Sequence, residues 1–271
     1  MKKLAFLLVI LFPLVVQAAD ESAYDRVIAR NELVCGVIPW APYKVLDANT
    51  KEWSGFAIDI YRKVFATLDI KVTFKEVVLG NQIQDLNSGR VDAICDDGPW
   101  TLSASKFIDF SNPVYVAPVY LYVRKDDNRF KSRNDLDKKE IRFAGIDGDV
   151  SNDLVPRLFP HATLASMPGT TDAAQLLLNV STEKADVTII GPSEFFVFEK
   201  NNPGQLKALF KDTPLGNYEC AISVKKGDFK MLGLVNQAIN NGRNFGITNK
   251  IIDEFDPKHE KLLRVRSPYT F

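Results

Sequence analysis

Acidic and aromatic side chains that could hold a cation stand at the ends of apolar runs in this chain. Val91-Asp92-Ala93-Ile94-Cys95 leads into Asp96-Asp97-Gly98-Pro99-Trp100. Leu33-Val34-Cys35-Gly36-Val37-Ile38 leads into Pro39-Trp40-Ala41-Pro42-Tyr43. A carboxylate pairs with a cation directly, and the face of Trp or Tyr attracts one through the ring quadrupole. The same Asp residues could instead cap a loop, and Trp40 could simply pack between elements. Covalent chemistry has less support, because the chain shows no Ser-His-acid order and no reactive-Cys motif. Cys35, Cys95, Cys220, His161 and His259 lack zinc-site spacing, so neither a metal nor a cofactor is expected.

Strands and helices must position these groups. The run Leu33–Ile38, ended by Pro39, reads as a buried strand. From Gly55, the spacing of Phe56, Ile60, Val64, Phe65 and Leu68 gives a one-faced helix. Val72, Phe74 and Val77 form the next strand, Ile83 and Leu86 lie on a short helix, and Val91–Cys95 is another strand. This βαβαβ order calls for a mostly parallel sheet covered by helices. The apolar stretch 114–123 is too long for an ordinary strand and reads as a crossing between two lobes. A second block follows, with strands at 141–146, 162–166 and 185–190 and helices at 150–158, 172–178 and 192–200. Pro192 suits the first turn of its helix, where its missing N–H costs nothing. The chain returns through 218–224 and closes with helices at 229–241 and 248–255. Two α/β lobes joined by two crossings imply a hinge and a cleft, with ligands off the C-terminal ends of the strands.

Compartment and charge narrow the function. Met1-Lys2-Lys3, an apolar run from Leu4 to Leu14 and the exit Val16-Gln17-Ala18-Ala19 read as a secretory signal peptide over 1–18. An uncleaved anchor is the alternative, but the run is short for a bilayer. Cleavage after Ala18 leaves 253 residues, with 32 basic against 34 acidic side chains. That near-neutral balance carries no footprint for nucleic acid or an anionic membrane. An oxidising compartment permits one disulfide among three cysteines. Inert core thiols are the favoured reading for Cys35 and Cys95, and a bridge between these neighbouring strands is the alternative.

Several motifs, in order, resemble the family 3 extracellular solute-binding proteins of amino-acid importers. Trp40-Ala41-Pro42-Tyr43 is similar to the family's aromatic-Pro turn. Gly55-Phe56-Ala57-Ile58-Asp59-Ile60 is similar to its Gly-Phe-acid signature, with Ala57 in place of the first acid. Ser88-Gly89-Arg90-Val91-Asp92-Ala93 and Asp109-Phe110-Ser111-Asn112-Pro113-Val114-Tyr115 also match, as do Val123-Arg124-Lys125-Asp126-Asp127 and Ser223-Val224-Lys225-Lys226-Gly227-Asp228. The resemblance implies a two-lobed periplasmic binding protein fold (type II-like), with two mixed sheets and a two-segment hinge. It places 19–117 plus 217–271 in lobe 1 and 118–216 in lobe 2. It also implies a monomer that serves an inner-membrane permease and ATPase.

The family's ligand residues carry over poorly. Its carboxylate-binding Arg falls on Ala104, and Lys106 nearby lacks the bidentate fork. Its small hydroxyl pair falls on Asp149-Val150, its amine-binding Asp on Gly191, and an aromatic near Leu79. The resemblance puts Asp96, Asp97, Gly98 and Trp100 at the cleft edge, opposite Trp40 and Tyr43, with Asp149 facing them. With Val150 and Gly191 these form the expected site, suited to an amino-acid-like or cationic amine solute. A lyase resembling cyclohexadienyl dehydratase is the alternative, with a desolvated carboxyl as general acid. Against it, such substrates are anionic and the expected cleft offers little positive charge. A stand-alone sensory role is a third class.

Overall fold

The computed structural model describes residues 21–97 and 104–265. The first half opens with α1 (Ala23–Arg30) and β1 (Glu32–Val37). The ribbon β2 (Val45–Leu46) and β3 (Trp53–Ser54) follows, then α2 (Phe56–Ala66), β4 (Lys71–Glu76), α3 (Gln82–Asn87), β5 (Ala93–Asp97) and β6 (Ile108–Phe110). The long strand β7 (Tyr115–Arg124) leads to the second half: β8 (Arg142–Ile146), α4 (Val150–Leu158), β9 (Thr163–Met167), α5 (Ala174–Ser181), β10 (Val187–Ile190), α6 (Pro192–Asn201) and β11 (Leu206–Leu209). The chain returns on β12 (Gly216–Lys225) and ends in α7 (Phe229–Asn244) and α8 (Ile247–Phe255).

β1 lies parallel between β4 and β5, and β8 lies parallel between β10 and β9. These are the two parallel blocks that strand–helix alternation demands. What joins them is an antiparallel pair. β7 residues Tyr115–Val119 pair with β12 residues Gly216–Cys220. Beyond that pairing, β7 joins β10 and β11 while β12 joins β5 and β6. The strand ladder therefore runs unbroken as β4-β1-β5-β12-β7-β10-β8-β9.

The α2 face of the first half packs Phe56, Ile60, Val64 and Phe65 with Leu33, Val235 and Ile252 into one core. The second half has its own cores, one around Phe143, Leu136 and Val187 and another around Ile146, Leu176 and Leu177. Separate cores on either side of a two-strand connection make the two-lobed, hinged fold.

The structure corrects the thiol reading of two cysteines. Cys35 and Cys95 form a disulfide, with Cα atoms 5.8 Å apart. The reason is register: Cys35 lies beside Ala93 on the neighbouring strand, which brings Cys95 within reach. Cys220 is a buried free thiol.

Candidate functional site

The first wall of the site is a turn. β1 runs into Pro39, and Trp40 and Lys44 then close a loop by two backbone hydrogen bonds, Trp40 N to Lys44 O (2.8 Å) and Lys44 N to Trp40 O (3.0 Å). Gly55 lets α2 start directly behind it. Its φ of +112° suits glycine, and a Cβ there would strike the Tyr43 carbonyl. Tyr43 is wedged among aromatic rings, 5.2 Å from Phe56 and stacked 6.2 Å from Tyr115. Its ring is therefore fixed, and its hydroxyl reaches across the cleft.

The facing wall comes from two helix starts in the second lobe. Asp149 is the N-cap of α4, and its Oδ1 accepts from Val150 N at 2.6 Å. Gly191 follows β10, Pro192 opens α6, and Glu194 sits in that helix's first turn. Glu194 Oε1 accepts from Trp40 Nε1 at 2.8 Å, and Oε2 accepts from the Tyr43 hydroxyl at 3.3 Å. The carboxylate fits because residue 191 has no side chain: a Cβ there would lie 2.7 Å from Glu194 Oε2.

Between the walls lies a cleft of about 780 Å³, including its opening to solvent. Trp40, Tyr43, Lys44, Gln82, Asp149 and Glu194 line it, together with apolar side chains such as Ile38, Leu79 and Val119. That mixture of a few polar groups among apolar walls suits a small polar solute. At the rim, backbone meets backbone. A Cβ on Gly148 would lie 2.8 Å from Gly80 N, and one on Gly169 would lie 2.6 Å from Leu79 O. Outside the cleft, the Lys261 ammonium lies 5.2 Å from the Phe255 ring of α8 and 5.3 Å from the Phe196 ring of α6. The two lobes thus touch through side chains, backbone and a cation between rings.

Burial dominates the electrostatics. It raises the Glu194 carboxyl to about 7, although the bonds from Trp40 and Tyr43 and the charge of Lys44 pull the other way. Burial likewise raises Asp149 to about 6 against the hydrogen bonds of Ser151 and Val150. Burial pushes up the Tyr122 and Tyr218 phenols, helped by Glu194 in both and by Asp149 at Tyr218. A cation entering the cleft would meet carboxyl groups that ionise more readily in its presence.

Residues 33–256 match the family described as bacterial extracellular solute-binding proteins, family 3. The chain belongs to that family. Relatives of this family 3 protein include the ABC transporter glutamine-binding protein GlnH of Bacillus subtilis. It is 25% identical over 243 residues, which cover 87% of this chain and 86% of that one. The probable ABC transporter extracellular-binding protein YckB of the same organism is 26% identical over 130 residues, 46% of this chain and only 45% of YckB. A solved structure of an ArgBP mutant from T. maritima superposes with a TM-score of 0.73 at 20% identity, covering 87% of this chain and all of that one. At that identity the superposition speaks for the fold.

Within this family 3 protein the residues singled out from sequence divide clearly. Trp40, Tyr43, Asp149, Val150 and Gly191 all line the one cleft. The side chains of Asp96 and Asp97, and Gly98 and Trp100 entirely, lie outside the described residues. Ala104 packs against the cluster around Ile94 and Ile108 and is not a lining residue.

Two charged lining residues were missed. Lys44 is buried in the wall, which corrects the expectation of little positive charge. Glu194, one helical turn further on, places a carboxyl beside Gly191. The signal was available as Gly191-Pro192-Ser193-Glu194: an acid three residues after a glycine lies near it at a helix start.

Proposed function

We propose that this protein captures a small amine-bearing solute, amino-acid-like or cationic, and delivers it to an inner-membrane ABC permease and its ATPase. The observation that carries this reading is a cleft with two buried carboxyls, Glu194 and Asp149, set against the rings of Trp40 and Tyr43. Ion pairing and cation–π attraction would act together there, away from water. Solute capture would proceed by hinge closure, with lobe 1 formed by 19–117 and 217–271, lobe 2 by 118–216, and residues 1–18 as a signal peptide removed on export to the periplasm. The amino-acid-binding relatives support the solute class, and the family's extracellular description supports the compartment. Trp40, Tyr43, Asp149, Val150 and Gly191 belong to the proposed site, as do Asp96, Asp97, Gly98 and Trp100 at its edge. Glu194 and Lys44 join them.

The test is a thermal-shift screen of the mature protein against amino acids, polyamines, quaternary amines, sugars and prephenate. A solute that binds only the folded state must raise Tm by mass action. A shift with amines or cationic amino acids supports the reading, and a shift with sugars alone overturns it. The lyase alternative gains one supporting observation, a buried Glu194 carboxyl titrating near neutrality as a general acid requires. Turnover of prephenate, abolished in Glu194→Gln, would favour it over binding.

A further inference from the structure

Glu194 is the one described carboxyl that accepts side-chain hydrogen bonds from the opposite lobe across the cleft. Both partners are uncharged donors held rigidly by their own lobe. Trp40 lies on a turn closed by paired backbone bonds, and Tyr43 is stacked on Tyr115. Glu194 as a whole residue is 9% exposed. Opening the hinge would break both bonds and return the group to water.

We propose that Glu194 makes closure of this cleft proton-linked: the acid closes onto Trp40 and Tyr43 with uptake of a proton, and a cationic solute takes the proton's place. The idea rests on the reading of the cleft as a solute site and adds how that site is regulated.

The physical basis is the difference in solvation between the two ends of the motion. An anionic carboxylate loses its hydration on closure, and two neutral donors repay that loss only in part. A protonated carboxyl closes at far smaller cost. The groups facing Glu194 come from several elements. Lys44 on the turn carries the neighbouring positive charge. Tyr122 stands on β7 with Tyr120 as its own neighbour, Tyr218 stands on β12, and Asp149, which caps α4, lines the same cleft. Burial keeps the Tyr122 and Tyr218 phenols neutral through the physiological range. Asp149, the other raised carboxyl among these groups, acts in the same direction.

The sign follows from linkage. The closed form holds the Glu194 proton up to about pH 7, and the open form releases it in the ordinary carboxylate range. Closing therefore takes up a proton between those limits. The closure constant should rise by up to about tenfold per pH unit as pH falls below 7.

The experiment uses the mature protein without solute. The Trp40 indole N–H resonance, assigned by its loss in Trp40→Phe, is followed from pH 5 to 9, with the radius of gyration measured by X-ray scattering on the same samples. The expected result is a titration of the indole resonance between the carboxylate range and pH 7, with compaction towards low pH. Glu194→Gln keeps an acceptor but cannot titrate, so it should abolish that transition and stay compact at pH 9. Asp149→Asn should leave the indole titration in place.

A Glu194→Gln protein that titrates like wild type would overturn the proposal, as would a wild type whose resonance and radius do not change with pH. If Glu194→Gln failed to fold, Trp40→Phe would decide by scattering. Loss of the indole donor should expand the protein at pH 5, and unchanged compaction would refute the proposal. A screen that finds no amine ligand would sink the proposed solute class and leave this test standing, because no solute is used.

Discussion

Gly169→Ala should prop the cleft open, at the cost of a milder crowding of the Asp147 carbonyl 3.1 Å away in its own lobe. Gly169 follows β9 on the second-lobe rim, and an added Cβ would stand 2.6 Å from the Leu79 carbonyl oxygen of the first lobe. That neighbour is backbone, so the lobes themselves must part by most of an ångström. A small solute spanning the cleft makes on the order of 50 contacts of about 0.15 kcal/mol, about half of them to the second lobe. A gap of this size removes about a third of each contact's well, which amounts to about 1.3 kcal/mol, or close to tenfold in Kd. The assay is titration calorimetry with the solute found in the thermal-shift screen, paired with urea unfolding of the free protein. Gly233→Ala is the control: its Cβ meets open space on α7, so affinity should not move. Unchanged affinity in Gly169→Ala would refute the view that rim contact limits closure. Lost affinity together with a lost urea midpoint would show that the residue supports the lobe instead.

Three further outcomes are expected. Replacing Cys35 and Cys95 by Ala opens a loop with a sequence separation of 60 and should cost about 4 kcal/mol in denaturant unfolding, and a change under 1 kcal/mol would contradict the loop-closure argument. Asp186 is buried beside β10 and accepts from Arg129 at 2.9 Å and Arg142 at 3.0 Å; burial pushes its pKa up, but these bonds outweigh it and hold the group well below the usual carboxylate range. Asp186→Asn should therefore destabilise the protein by about 3 kcal/mol at pH 7, with the difference fading as acid protonates the native aspartate; equal acid-unfolding curves would count against this. The Glu194 carboxyl has the opposite sign. Its native pKa is raised, so it penalises folding above about pH 7 and less as pH falls, and Glu194→Gln should be more stable than wild type by on the order of 2 kcal/mol at pH 8 and no more stable at pH 5.

Much of the scaffold was legible in the sequence because local periodicity determines it. The one-faced spacing from Phe56 to Phe65 and the apolar runs at Leu33 and Val91 report burial directly. α1 was not read: it has only two buried residues, Ala23 and Val27, so its apolar face is weak, although Ser22 and Asp25 stand at capping spacing and Asn31 ends the helix. The pairing of β7 with β12 was equally hidden, since register between strands about a hundred residues apart leaves no local trace.

The site shows the same divide. Trp40 and Tyr43 announced themselves by residue type at a strand end. Glu194 and Lys44 did not, because their meaning depends on contacts across the cleft, some 150 residues apart for Trp40 and Glu194. Lys44 and Glu194 are charged residues, which in most sequences are read as surface, and only the fold shows them inside.

The two crossing strands are not independent tethers. Tyr115–Val119 and Gly216–Cys220 are hydrogen-bonded to each other along the whole span between the lobes. A paired ribbon resists shear and in-plane bending, because either would break its ladder, but it twists easily. The mechanical result is a joint left with few soft motions, twist and out-of-plane bending. A small set of label pairs across the rim would then report the state of the whole molecule, and any partner that grips both lobes would need to sense few angles.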